Sequence, residues 1–306
     1  MQTQQAYISE KIRNSSNVVI NPATTEKQDS QITQIANLLE NNSLRTVSQS
    51  TEWMIQHTWS INGATAKIFN IMGARSRGWN STSALWDCCE YLNTSQNLMN
   101  TPTSGQTLYL VSTSASDTNG WTWAQSVRIV YLDSTWLQQF AIHTMNWTTP
   151  VSIGTWYTFI QWIESASVWS NSVAVGDITI SSTNGAATVA TTFELIAAGG
   201  NRSLSWRYKV PSDSHVHMLD WSAAAISNTM DVRLRADTYA DNWLSAWVFH
   251  FKDRIFLASG QNFSNDLHYE EYPANTVVKV SAIPGAAPAW NKLDVHFTII
   301  LMTWAD

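Results

Sequence analysis

His215-Val216-His217 is the first chemistry this sequence offers. Residues two apart on a strand share a face, so the two imidazoles could grip one metal ion from one side. Such a site needs a third and a fourth ligand, and Glu194, Asp220, His250 and His268 are only guesses. An HxH pair alone is common. The expectation is therefore no metal, with His215 and His217 on a solvent face after the turn Pro211-Ser212-Asp213-Ser214. Glu270-Glu271, with Asp266 and His268 nearby, could suggest the acid and base of glycoside cleavage, which sit several ångströms apart across a sugar. Adjacent residues of a strand point to opposite faces, so these two cannot form that pair and read as solvated charges. Asp213, Ser214 and His215 are neighbours in sequence, whereas a hydrolase triad assembles across a fold around a sharp nucleophile turn. A phosphate-cradling Gly-rich loop, a CxxC pair and an HExxH helix are missing. No catalytic residue and no cofactor is expected, and the chain does not read as an enzyme.

Cys88 and Cys89 are adjacent, a spacing that rarely closes a disulfide, and they read as reduced packing residues. Charged residues make up 13% of the 306, about half the usual share, and the net charge is −6. With no Lys/Arg cluster, nucleic acid is not an expected partner. The N-terminus lacks the basic and apolar regions of a signal peptide, and no run of about 18 apolar residues exists to span a membrane. Synthesis and assembly in a cytoplasm are expected.

The elements that must position these residues are mostly strands. Residues 1–24 are polar and unpatterned and read as a flexible tether. Within 25–45, Ile32, Ile35, Leu38 and Leu39 make one apolar stripe at helical spacing. The stripe is too narrow for a core of its own; burial against copies of itself, with Ile at both seam positions, predicts a trimeric coiled coil. A helix packed on its own chain is the alternative. From about residue 50, β-branched and alternating runs recur between Ser, Thr, Asn, Gly and Pro clusters. The regular spacing predicts a mainly β chain of two β-sandwich or jelly-roll-like domains, 50–198 and 199–306. One interruption is expected, a helix over 81–92 with Leu85, Cys88, Cys89 and Leu92 on one face behind an Asn80/Ser81 cap.

Seventeen Trp against twelve Gly inverts the usual balance. Several indoles stand where a turn between strands would ask for Gly, because turns often require φ > 0. Ser126 to Leu132 and Leu137 to His143 read as a hairpin whose loop, Asp133 to Trp136, resembles a type I turn plus bulge. Its last residue sits in the left-handed region, where a bulky side chain costs roughly 1–2 kcal/mol. Asn146-Trp147 stands where Asn-Gly would be the strongest short hairpin signal. The pattern suggests that Trp121, Trp123, Trp136, Trp147, Trp156, Trp169, Trp243 and Trp290 are UGA codons meant as Gly. Trp162 and Trp206, inside strand patterns, need no such reading. The competing account is a surface of real indoles that stack on sugar rings.

Two stretches resemble virion structural proteins of tailed bacteriophages. Asn21-Pro22-Ala23-Thr24-Thr25-Glu26-Lys27-Gln28-Asp29 looks like the "TEKQD" opening common in that family. Ser114 to Ile153 is similar to its pattern of NDT, a Gly-rich GTGA segment, a V-x-I strand, a GLD-like turn and T-x-NG-TTPV. Here these are Asp117-Thr118, Trp121 to Ala124, Val127 to Ile129, Leu132-Asp133 and Met145 to Val151, with Trp for Gly at Trp121, Trp123 and Trp147. Gly73-Ala74-Arg75, Asn80-Ser81-Thr82 and the Trp206 to Trp221 segment extend the likeness. The resemblance implies a non-enzymatic virion component: a head decoration, fibre or tail-associated protein. Its partners would be copies of itself, other virion proteins and, if exposed Trp are real, host surface glycans.

Overall fold

The computed structural model describes residues 65–75, 84–92, 98–118, 124–146, 148–168, 173–226, 228–237, 248–265, 270–285 and 293–303. All belong to the compact unit Gln56–Asp306. The expected tether and helix, with Ile32, Ile35, Leu38 and Leu39, lie outside the described residues.

The described chain is mainly β, in four sheets whose pairings are all antiparallel. In chain order the strands are β1 (Thr65–Arg75), β2 (Trp86–Asp87), β3 (Leu108–Ser112), β4 (Ala124–Leu132), β5 (Gln138–Thr144), β6 (Val151–Gly154), β7 (Phe159–Val168), β8 (Ile178–Ser181) and β9 (Thr192–Ile196). There follow β10 (Arg207–Lys209), β11 (Ser214–Ala225), β12 (Met230–Asp237), β13 (His250–Leu257), β14 (Asn262–Asn265), β15 (Glu270–Tyr272), β16 (Val277–Pro284) and β17 (Leu293–Thr303).

One core lies between the sheets β6-β3-β8-β9 and β5-β4-β7. Leu108, Leu110, Ile178 and Ile180 from the first meet Val127, Ile129, Ile160 and Ile163 from the second. A second core lies between β1-β17-β11-β14, with β15 also on β11, and β10-β16-β12-β13, with β2 also on β16. Its inward residues alternate along β12 as Met230, Val232, Leu234 and Ala236, while β17 sends in Val295, Phe297, Ile299 and Leu301 and has Thr298, Ile300 and Met302 buried on its other face. Trp206 and Trp221 are wholly buried there, each contributing on the order of the upper end of about 1.5–3 kcal/mol for a large apolar side chain. Gly73 lets β1 approach Trp206: a Cβ on it would collide with the Trp206 Cβ.

Two expectations differ from the structure. The helix over 81–92 is not formed where the chain is described; β2 and a bridge from Cys89 to Ser205 occupy 84–92 instead. Helical spacing misled because the segment is buried on every side, Trp86, Asp87, Cys88, Cys89, Tyr91 and Leu92 alike, and a one-faced stripe would leave half of them wet. Second, β1 and β2 precede residue 198 yet pair with β17 and β16 of the C-terminal half. The first described strand thus closes a sheet made by the last, with Thr65 opposite Thr303.

Candidate functional site

The expected hairpin forms as β4–β5, with Leu132 opposite Gln138 and Val127 opposite His143. At its tip the Trp136 N–H donates to the Asp133 carbonyl at 3.0 Å and the Asp133 N–H to the Leu137 carbonyl at 3.1 Å. The Asp133 carboxylate accepts from the Thr135 N–H and hydroxyl and from the Leu137 N–H. What little burial it has raises its pKa, and these donors hold it below the ordinary value. Trp136 takes φ 63, the left-handed conformation expected of this turn. Its indole is nonetheless used: it packs beside Leu132, Phe159 and Val277, with the Lys209 ammonium 3.9 Å from the ring centroid. The tip is fixed to the turn before β11, since the Ser212 N–H donates to the Trp136 carbonyl and the Ser212 hydroxyl to the Thr135 carbonyl.

At Trp156 the positive φ falls instead on Gly154, at 108°, and the indole covers the place where a Gly154 Cβ would stand. Trp156 is 51% exposed and leans on Tyr157, 5.9 Å between centroids. Trp121, Trp123, Trp147, Trp169, Trp243 and Trp290 lie outside the described residues.

His215 and His217 share a face of β11, as their spacing requires. Only His215 is partly open; His217 is buried, against the expectation that both face solvent. The His215 Nδ1 stands 3.0 Å from Glu271, and burial followed by the neighbouring His215 pushes the His217 pKa down against the pull of Glu271. Of the further ligands considered, Glu194 is sequestered with Arg207 and Ser205, and Asp220 accepts from the Thr298 N–H beside His296. His250 begins β13, and His268 lies outside the described residues. No group of three or more His, Cys, Asp or Glu suited to a metal occurs among the described residues. Glu270 and Glu271 serve different partners, Lys252 at 2.7 Å and His215, as opposite faces of β15 dictate.

The polar groups that sequence reasoning passed over are the buried ones. Asp87 accepts at one oxygen from Arg235 and Ser281 and at the other from Lys279 and the Met99 N–H. Burial pushes its carboxyl up, and Lys279, Arg235, Ser281 and Met99 outweigh burial to leave it below the ordinary value. Glu194 faces one cation, Arg207, and there burial wins and the pKa rises. Burial of an acid at Trp86-Asp87-Cys88 has no periodic signature; the one hint was a lone charge inside an apolar run.

Several cavities among the described residues are large enough for small molecules. One, about 560 Å³, is walled by Phe263 and by Ser222, Asn262, Ser264, Asp294 and His296, an aromatic plane beside hydroxyl, amide and carboxylate groups. Another, about 330 Å³, lies over Asp87.

No family model matches the chain, and no curated protein matches it. Among solved structures, the N-terminal CBM22-1-CBM22-2 tandem domain of Paenibacillus barcinonensis Xyn10C is similar over 79% of this chain and 94% of that one, at 11% identity and a TM-score of 0.20. A structure of infectious bursal disease virus Gx strain is similar over 78% of this chain and 72% of that one, at 7% identity and a TM-score of 0.24. At these scores neither likeness bears on architecture or activity.

Proposed function

We propose that this chain is a non-enzymatic structural protein of a tailed-bacteriophage particle, a head decoration, fibre or tail-associated component. In this reading residues 25–45 join copies into a trimer and residues 1–24 dock on another virion protein. The observation that carries it is the use made of Ser114 to Ile153, where the resemblance is most specific. Asp117 is fully buried and accepts from the Ser112 hydroxyl and the N–H groups of Val175 and Gly176, tying the segment to the strand that follows. Val127, Ile129, Leu132 and Met145 are buried, and Thr118 bridges to Asn146. These motif residues hold a core together, as a structural motif should. Peptide mass spectrometry on purified native particles tests the reading: peptides of this chain belong in the particle at constant stoichiometry, and their absence removes it. The same spectra read the mass at Trp136 and Trp147, where a Gly-sized residue would establish recoding and an indole mass would end it.

A second reading, glycan binding, is favoured by Trp156, an indole half open to solvent beside Tyr157. Glycan-array binding by the full chain that is lost in Trp156→Ala supports it, and no binding by the parent chain refutes it.

A further inference from the structure

Three cations surround the cavity over Asp87, an unusual crowd for an interior in a chain of net charge −6. Arg207, Arg235 and Lys279 all line it, and their side chains are 3%, 11% and 11% exposed. The carboxylates bound to them are two, Asp87 and Glu194. The cluster therefore holds one positive charge more than its acids neutralise, and burying an uncompensated charge is costly. Asp87 cannot serve an additional cation, because both of its oxygens already accept two donors.

Donor capacity is in surplus as well. The Nε of Arg207 and the Nε of Arg235 are buried without a hydrogen-bond partner. Of the three N–H groups of Lys279, Asp87 takes one. The two Nε atoms are closed off inside the cluster, whereas the Lys279 ammonium lines the cavity and keeps N–H groups that an entering acceptor can take. The remaining walls are apolar: Phe159, Phe249, Leu98 and Val277. Lys279 stands 4.1 Å from the Phe249 centroid and Arg207 stands 4.9 Å from that of Phe159, so cationic and aromatic surfaces adjoin.

We infer that this cavity is a binding site for a small organic anion, a single carboxylate or sulfate carried on a body with an apolar face. The anionic group meets Arg235 and Lys279, and the body lies against Phe249 and Leu98. A volume of about 330 Å³ admits one ring and excludes a chain of several. Sugar acids and simple aromatic acids share this chemistry.

Isothermal titration of the full chain separates them, with glucuronate and benzoate as probes, glucose and benzyl alcohol as their neutral counterparts, and sodium sulfate as the bare anion. At least one organic acid is expected to bind about tenfold or more tightly than its neutral counterpart and than sulfate. Preference for glucuronate names a sugar acid and preference for benzoate an aromatic one; both support the site. Equal binding of acid and neutral counterpart, sulfate as tight as either acid, or no heat from any probe overturns it. Arg235→Gln is expected to lower the affinity about tenfold or more. Should that variant fail to fold, Leu98→Trp decides, because Leu98 is 48% exposed and a larger side chain there narrows the mouth without touching the ion cluster. Affinity unchanged in Leu98→Trp would place the binding elsewhere and overturn the proposal.

Discussion

Around the core of Leu110, Ile129 and Ile178, the buried acid Asp117 binds a hydroxyl and two backbone N–H groups; around the core of Val232, Val280 and Phe297, the buried acid Asp87 binds two cations, a hydroxyl and one N–H. Both acids are out of water, and both join segments far apart in sequence. Neutral donors leave no charge behind when the acid goes, but an arginine and a lysine do. A buried carboxylate is therefore replaceable at one place and obligatory at the other.

The largest effect should come from Asp87→Ala, which strands Arg235 and Lys279 in the interior and is expected to lower stability by about 3–5 kcal/mol in urea unfolding. Asp117→Ala leaves two N–H groups and a hydroxyl unpaired and should lower it by about 1–3 kcal/mol. A larger loss at Asp117 than at Asp87 would break the comparison. Next comes the hairpin tip: Trp136→Gly and Trp136→Ala both remove the indole, but only glycine is at ease at φ 63, so the glycine variant should be the more stable by about 1 kcal/mol. Equal midpoints would mean the left-handed turn relaxes once the ring is gone.

The smallest effect is in the pH dependence. Burial pushes the His143 pKa below 6.5, and the same cause leads at His217. A base depressed on folding binds fewer protons folded than unfolded, so its stability is whole above pH 6.5 and falls as pH drops through that value toward the folded pKa. The Asp87 contribution is whole above its unfolded value, 3.8, and is lost only as pH falls through its lower folded pKa. Chemical denaturation of the parent chain should show two separate acid losses. His143→Gln should flatten part of the first and leave the second alone.

Strands marked by long β-branched or alternating runs were readable in advance. Met230 to Ala236 and Leu293 to Met302 lie within β12 and β17, and the left-handed position at Trp136 followed from turn chemistry alone. Short edge pieces were missed. β14 and β15 are four and three residues, too brief for a period to show. The segment 84–92 failed for a different reason: helical spacing of Leu85, Cys88, Cys89 and Leu92 says nothing about residues between them, and Trp86, Asp87 and Tyr91 are buried too. For the cavity, the sequence offered even less, since Asp87, Arg207, Arg235 and Lys279 are spread over nearly two hundred positions and meet only because β2, β10, β12 and β16 share a sheet.

The pairing of β1 with β17 has a mechanical side. Because the strands run antiparallel with Thr65 opposite Thr303, a pull on those two residues meets one rung of the ladder at a time and unzips it. A pull entering at Thr65 and leaving through Leu293 runs along the strands and strains all eleven rungs together. The same sheet is a zipper in one direction and a lap joint in the other, so where force enters would decide how much of it the protein survives.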